Sequence, residues 1–191
     1  MSEKKLAILF PGIGYHKDKP LLYYATKLVR SLGYETIHIE YREMPQKIIG
    51  DPGMMKKAAE LALSQSEEQL AEVDWDAFSE VVFIGKSIGT VALARFVQAH
   101  VICAKQVWYT PVEATFSFGA RDVIAFIGDA DPWSDLNEVR AMASGQGIPL
   151  DIYPGGNHSL ECEDVSRNIE VLADVMKKTK EYITGRKENG S

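Results

Sequence analysis

Val81-Val82-Phe83-Ile84-Gly85-Lys86-Ser87-Ile88-Gly89-Thr90 decides the fold of this chain. Four apolar residues, three of them β-branched, read as a buried strand. They run into Gly-x-Ser-x-Gly, after which Thr90 to Val97 reads as helix. A strand that turns sharply into a helix through this pentapeptide is a nucleophile elbow. Gly85 and Gly89 relieve the crowding of strand against helix. Ser87 is placed at the top of the sheet. The N–H of Ile88, at the N-terminus of the new helix, faces the place where an oxyanion would form. Taken alone, Gly-x-Ser-x-Gly is also what any tight βα turn favours, so the rest of the chain has to supply the partners.

Outward from the elbow, apolar runs alternate with amphipathic segments. Leu6–Phe10, Thr36–Tyr41, Val81–Ile84, Lys105–Tyr109, Val123–Ile127 and Leu150–Tyr153 read as strands. Pro20 opens a helix with Leu21, Ala25, Leu28, Val29 and Leu32 on one face, closed by Gly33. A polar loop from Pro45 to Gly53 leads to a helix over about Met54 to Glu72. A short helix from Ser134 is expected to bury Leu136, Val139 and Met142. A long final helix is expected to bury Val165, Ile169, Leu172, Met176 and Ile183. Continuous apolar strands alternating with helices indicate a doubly wound parallel sheet with helices on both faces. One domain over residues 1–184 is expected, with a mobile tail at 185–191.

Composition narrows the function. The chain has 191 residues, a formal net charge of -6 and no basic cluster, which argues against nucleic acid or an anionic membrane as partner. No run approaches a membrane span, and the segment from Leu6 to Phe10 is too short for a signal-peptide core. Two cysteines, Cys103 and Cys162, lack metal-ligand spacing and are too few for a disulfide scaffold, so a cytoplasmic location fits. Cys103 is expected in the core. Nothing in the sequence assigns an oligomeric state.

In a sheet of this kind ligands bind beyond the carboxyl ends of the strands. A nucleophilic serine needs a base, an acid that orients the base, and donors for the oxyanion, all at that edge. Asp129 and Asp131 follow the fifth strand, and Gly155-Gly156-Asn157-His158 follows the sixth. The chain order Ser87, Asp131, His158 is that of an α/β-hydrolase triad. Asp129 reads as a turn former. Glu113, after the fourth strand, is a rival acid. The side chain of Lys86 is expected to point away from the serine.

On Gly85-Lys86-Ser87-Ile88-Gly89, Gly128-Asp129-Ala130-Asp131-Pro132-Trp133 and Pro154-Gly155-Gly156-Asn157-His158-Ser159-Leu160-Glu161, the sequence resembles the α/β-hydrolase superfamily from Leu6 to the final helix. It looks most like small, lidless bacterial members. The resemblance implies six strands in the order 2-1-3-4-5-6, because the chain starts too late for the family's two early antiparallel strands. It implies Asp131 as the acid. It also implies an oxyanion loop at Pro11-Gly12-Ile13-Gly14, where Pro11 stands in place of the family's His. Ile13 and Ile88 N–H are then the two donors, and Gly12, Gly14, Tyr15 and Trp133 are candidate substrate contacts, although aromatic residues near a sheet edge, here Tyr15 and Trp133, more often serve packing.

The expected activity is serine hydrolysis of a small ester or thioester, with no metal or organic cofactor. The competing readings are a binding or regulatory protein that keeps the fold without turnover, and a phosphate-binding α/β protein. The latter lacks both Gly-x-Gly-x-x-Gly and a Walker motif. The interval Thr110–Asp122 is too short for a helical lid, so a shallow, open site with little apolar wall and a preference for short or compact acyl groups is expected.

Overall fold

The structure, a computed structural model, describes residues 3–45, 48–119 and 121–186. Of the expected tail, residues 187–191 lie outside them. Six strands form one all-parallel sheet: β1 (Lys5–Phe10), β2 (Tyr34–His38), β3 (Glu80–Lys86), β4 (Lys105–Tyr109), β5 (Val123–Gly128) and β6 (Leu150–Tyr153). Their spatial order is 2-1-3-4-5-6, as expected. The order reverses beside β1, so the carboxyl ends of β1 and β3 flank a natural crevice. Phe10 pairs with Gly85 and Lys86 with Tyr109, which brings the loops after β1, β3 and β4 to one edge.

The pleat sorts the core. Leu6, Ile8 and Phe10 face one layer and Ala7 and Leu9 the other, all almost fully buried. Helices α2 (Pro52–Leu70), α3 (Ile88–His100) and α4 (Leu136–Gln146) cover the first layer through Ala62, Leu70, Leu93, Phe96, Val139 and Ala143. Helices α1 (Pro20–Ser31) and α5 (Val165–Thr184) cover the second through Leu21, Leu22, Ala25, Val29, Val171, Val175 and Ile183. Asp51, Asp135 and Asp164 accept hydrogen bonds from the first free N–H groups of α2, α4 and α5. Among the described residues, no helix is long and apolar enough to cross a membrane.

Four local expectations are corrected. Strand β2 begins at Tyr34 and stops at His38, so Tyr41 lies beyond it. The face of α5 is rotated. Val165 and Ile169 are exposed, while Val171, Val175, Thr179 and Ile183 are buried. Thr179 joins the buried row because its Oγ1 lies 2.9 Å from the Tyr109 hydroxyl, a polar pair inside the core that hydropathy cannot register. On α4, Ala143 takes the buried place expected for Met142. Cys103 is exposed rather than core, in the loop that follows the left-handed Val101 at the end of α3.

Candidate active site

Ser87 sits between β3 and α3 at φ 56, ψ -124, a conformation that a non-glycine residue adopts only under constraint. Its N–H donates to the Tyr109 carbonyl, pinning the turn to β4. The two flanking glycines are required by contact. A Cβ on Gly89 would lie 2.4 Å from the Phe10 carbonyl oxygen, and one on Gly85 would lie 2.2 Å from Leu93 Cδ2. The elbow therefore brings α3 against β1 more closely than any side chain permits.

The loops after β5 and β6 complete the site. His158 Nε2 lies 2.7 Å from Ser87 Oγ, and His158 Nδ1 lies 2.7 Å from Asp131 Oδ2 and 2.9 Å from Oδ1. The Asp131 side chain is only 1% exposed. Its Oδ1 also accepts from Trp133 N–H. A buried carboxylate on Nδ1 keeps the imidazole proton there, which leaves Nε2 free to accept from the serine hydroxyl. Burial lowers the His158 pKa below the usual imidazole range. The Asp131 hydrogen bond opposes that shift, and the Lys86 charge adds to it. The Trp133 ring stacks on His158 with centroids 5.3 Å apart and covers one face of the imidazole.

Asp129 does what its turn position suggests: it accepts from Gly155 N–H and ties the two loops together. Glu113, the rival acid, instead accepts from Asp135 N–H at the start of α4. Asn157 carries no chemistry in the sequence reading, yet it shapes the histidine loop. Its Oδ1 accepts from the N–H groups of Ser159 and Glu161. The Gly-Gly-Asn-His spacing was the available signal, because Asn favours turns of this kind.

On the β1 side, Gly12 rests against the serine, and a Cβ there would lie 3.3 Å from Ser87 Cβ. That contact brings the adjoining Ile13 N–H to the same edge as Ile88 N–H. Among the described residues, neither N–H donates in the backbone hydrogen bonds of these turns. Gly12 and Gly14 border a cleft of about 510 Å³ reaching Ile39 and Tyr41. Tyr15 is corrected: it is buried, with its hydroxyl accepting from Leu21 N–H, and packs with the core beneath α1 instead of facing ligand.

The Lys86 side chain runs into the interior. It is 1% exposed, with Nζ 4.9 Å from the centre of the Tyr15 ring. Burial lowers its pKa from 10.5 to about 7, and Asp131 and Glu161 partly oppose the shift. A buried ammonium beside the serine, histidine and carboxylate was not visible in a position that merely fills an x of the motif. Among the described residues, no group of three or more His, Cys, Asp or Glu could hold a metal ion.

The expectation of little apolar wall is corrected. The interval after β4 forms a 3-10 helix over Glu113–Phe118 that tucks Phe116 into the core and builds no lid. Beside it, however, runs a groove of about 930 Å³ that reaches Ile88 and Trp133. Its apolar wall comes from the first turns of α2 as well as from Val112 and Phe118. The interval after β4 supplies only part of that wall, and the rest comes from a helix remote in sequence.

Neither a protein-family model nor a curated protein sequence matches the chain. Solved structures do. Est1E from Butyrivibrio proteoclasticus, with ferulic acid bound, superposes with a TM-score of 0.68 at 12% identity, covering 95% of this chain and 90% of its own. An esterase from Pyrococcus furiosus gives 0.67 at 14% identity, covering 97% and 84%. An α/β serine hydrolase without a lid, from Xanthomonas campestris, gives 0.63 at 14% identity, covering 96% and 84%. The chain has the α/β-hydrolase fold. Within the α/β-hydrolase fold, the serine lies after β3, the aspartate after β5 and the histidine after β6. At these identities the likeness is one of architecture, and the chemistry rests on this chain's own residues.

Proposed function

We propose that this protein is a serine hydrolase that cleaves a small ester or thioester through an acyl-enzyme. The observation that carries the reading is the unbroken hydrogen-bonded path from Ser87 through His158 to the buried Asp131. Ser87 Oγ attacks the carbonyl carbon while its proton passes to His158 Nε2. The Ile13 and Ile88 N–H groups receive the oxyanion, and the helix N-terminus at Ile88 adds its positive end. The tetrahedral intermediate collapses, and the leaving alkoxide or thiolate takes the proton from His158. Water then attacks the acyl-serine with His158 again accepting a proton, and the carboxylic acid departs as Ser87 recovers its own.

Two features support turnover over a role in binding alone. The positive φ of Ser87 costs on the order of 1–3 kcal/mol, a strain that serves no purpose in a serine that only fills a turn. Burial favours the neutral form of His158, the form a general base needs. A fluorophosphonate probe tests the reading. Labelling of the wild-type chain and none of Ser87→Ala is expected. A wild-type chain that stays unlabelled while folded would overturn it.

A further inference from the structure

The groove beside Trp133 has a direction. On one side α3 lines it with Ile88, Val91 and Arg95, and on the other α2 lines it with Pro52, Met55 and Ala59. Both sets follow the i, i+3, i+7 spacing that puts side chains in one row along a helix. The row on α3 starts at the residue whose N–H adjoins Ser87 and ends at a guanidinium. Seven residues at 1.5 Å per residue separate the two backbones by about 10 Å. Arginine side chains lean toward the helix N-terminus, which brings the charge somewhat nearer the serine.

The charged groups of the groove differ in what they have left to offer. Asp51 caps α2 through Met54 N–H and Glu113 accepts from Asp135 N–H, while Lys56, 4.0 Å from Glu60, is a largely exposed surface cation with a solvated ammonium. Arg95 lies with its guanidinium 5.8 Å from the centre of the Phe118 ring. Among the described residues, Arg95 has no carboxylate partner. The contact with Phe118 takes up none of the guanidinium N–H groups, whose fork matches a carboxylate with two parallel hydrogen bonds. An apolar channel with one such group at its far end is how small-molecule sites combine affinity with selectivity.

We propose that this groove is the acyl site and that it selects acyl groups bearing a second carboxylate at their far end, held by Arg95. The substrates would be half-esters or half-thioesters of medium-length dicarboxylic acids. The proposal rests on the serine-hydrolase reading for its reaction, and on the groove alone for its selectivity.

The test compares nitrophenyl half-esters of adipic, suberic and sebacic acid with the same compounds capped as ω-methyl esters. Shorter acids are avoided because their free carboxylate can attack the ester itself. In the wild-type chain, kcat/KM for the free carboxylate should exceed that of its capped twin by about tenfold or more at the best length, the size expected of a charged hydrogen bond. Arg95→Gln should bring that ratio close to one, and Arg95→Lys should recover part of it, keeping the charge without the fork. A ratio at or below one in the wild type, or one unaltered in Arg95→Gln, would overturn the proposal while leaving Ser87-dependent hydrolysis standing. If no ester is turned over, calorimetry on Ser87→Ala with suberate against octanoate decides separately. Suberate binding that is lost on adding Arg95→Gln supports the groove, and equal or absent binding of the two acids overturns it.

Discussion

The Cα of Gly128 lies against the carbonyl of Gly156, so closely that a Cβ on Gly128 would stand 1.9 Å from the Gly156 oxygen. This contact joins the end of β5 to the loop after β6. It is reinforced by Ala130 N–H donating to that same carbonyl oxygen. Asp131 and His158 stand on the two segments so joined, and the separation of their side chains depends on the fit.

Gly128→Ala should therefore push the histidine loop off the aspartate. Overpacking of a backbone contact is expected to cost about 1–3 kcal/mol or more of stability. Ester hydrolysis should fall further than the folded fraction does. Urea unfolding together with kcat on the folded enzyme separates the two effects, and unchanged values of both would show that the loops can part at no cost.

Ser87→Ala and His158→Ala should each reduce kcat by about 10³-fold or more, and the double variant should lose little beyond either one, because the residues act as a unit. Losses that multiply in the double variant would mean that the two side chains work independently.

Asp131→Asn should cost far more activity than Glu113→Gln. An amide at residue 131 can donate to Nδ1 and move the ring proton to Nε2, where it blocks acceptance from Ser87. Glu113 accepts from Asp135 N–H at the start of α4 rather than from His158. Steady-state kinetics of the two variants decide the assignment, and the opposite ranking would move the acid to Glu113.

Lys86→Met should raise the acid limb of the kcat/KM profile to higher pH. His158 acts when neutral, burial holds its pKa down, and the Lys86 charge lowers it further. Removing that charge lets the His158 pKa rise. The same variant tests stability. Lys86 has a folded pKa of about 7 against 10.5 unfolded, so between these values the unfolded chain holds more protons. The lysine's contribution therefore improves as pH rises from about 7 toward 10.5, and the buried cation weighs most heavily below that window. Lys86→Met should flatten this part of the stability profile, as read by urea midpoints across pH 6 to 10.

The three loops of the site were legible because each follows a strand whose apolar run is continuous, and in a parallel sheet all strand ends of one kind lie at one edge. That is why Ser87, Asp131 and His158 could be placed together from motifs far apart in the chain. Tyr15 stayed open between pocket and packing for the opposite reason. A tyrosine after a glycine turn reads the same whether it faces ligand or core, and only the packing of α1 over it, with Leu21 N–H donating to its hydroxyl, chose the core.

Helix faces divide along the same line. Apolar spacing found α5, but Val165 and Ile169 remained in solvent while Thr179 went inside. The choice was made by Tyr109, a residue 70 positions away that offers the threonine hydroxyl a partner. Local pattern was enough for the six strands, the elbow and the chain order of serine, aspartate and histidine, while the spatial order of the strands was expected only from the family resemblance. The first three follow from local sterics, or from the rule that parallel strands share an edge. Tertiary structure decided the burial of Lys86, the Gly128–Gly156 contact and the groove between α2 and α3. These depend on distances between segments remote in sequence, which no local pattern encodes.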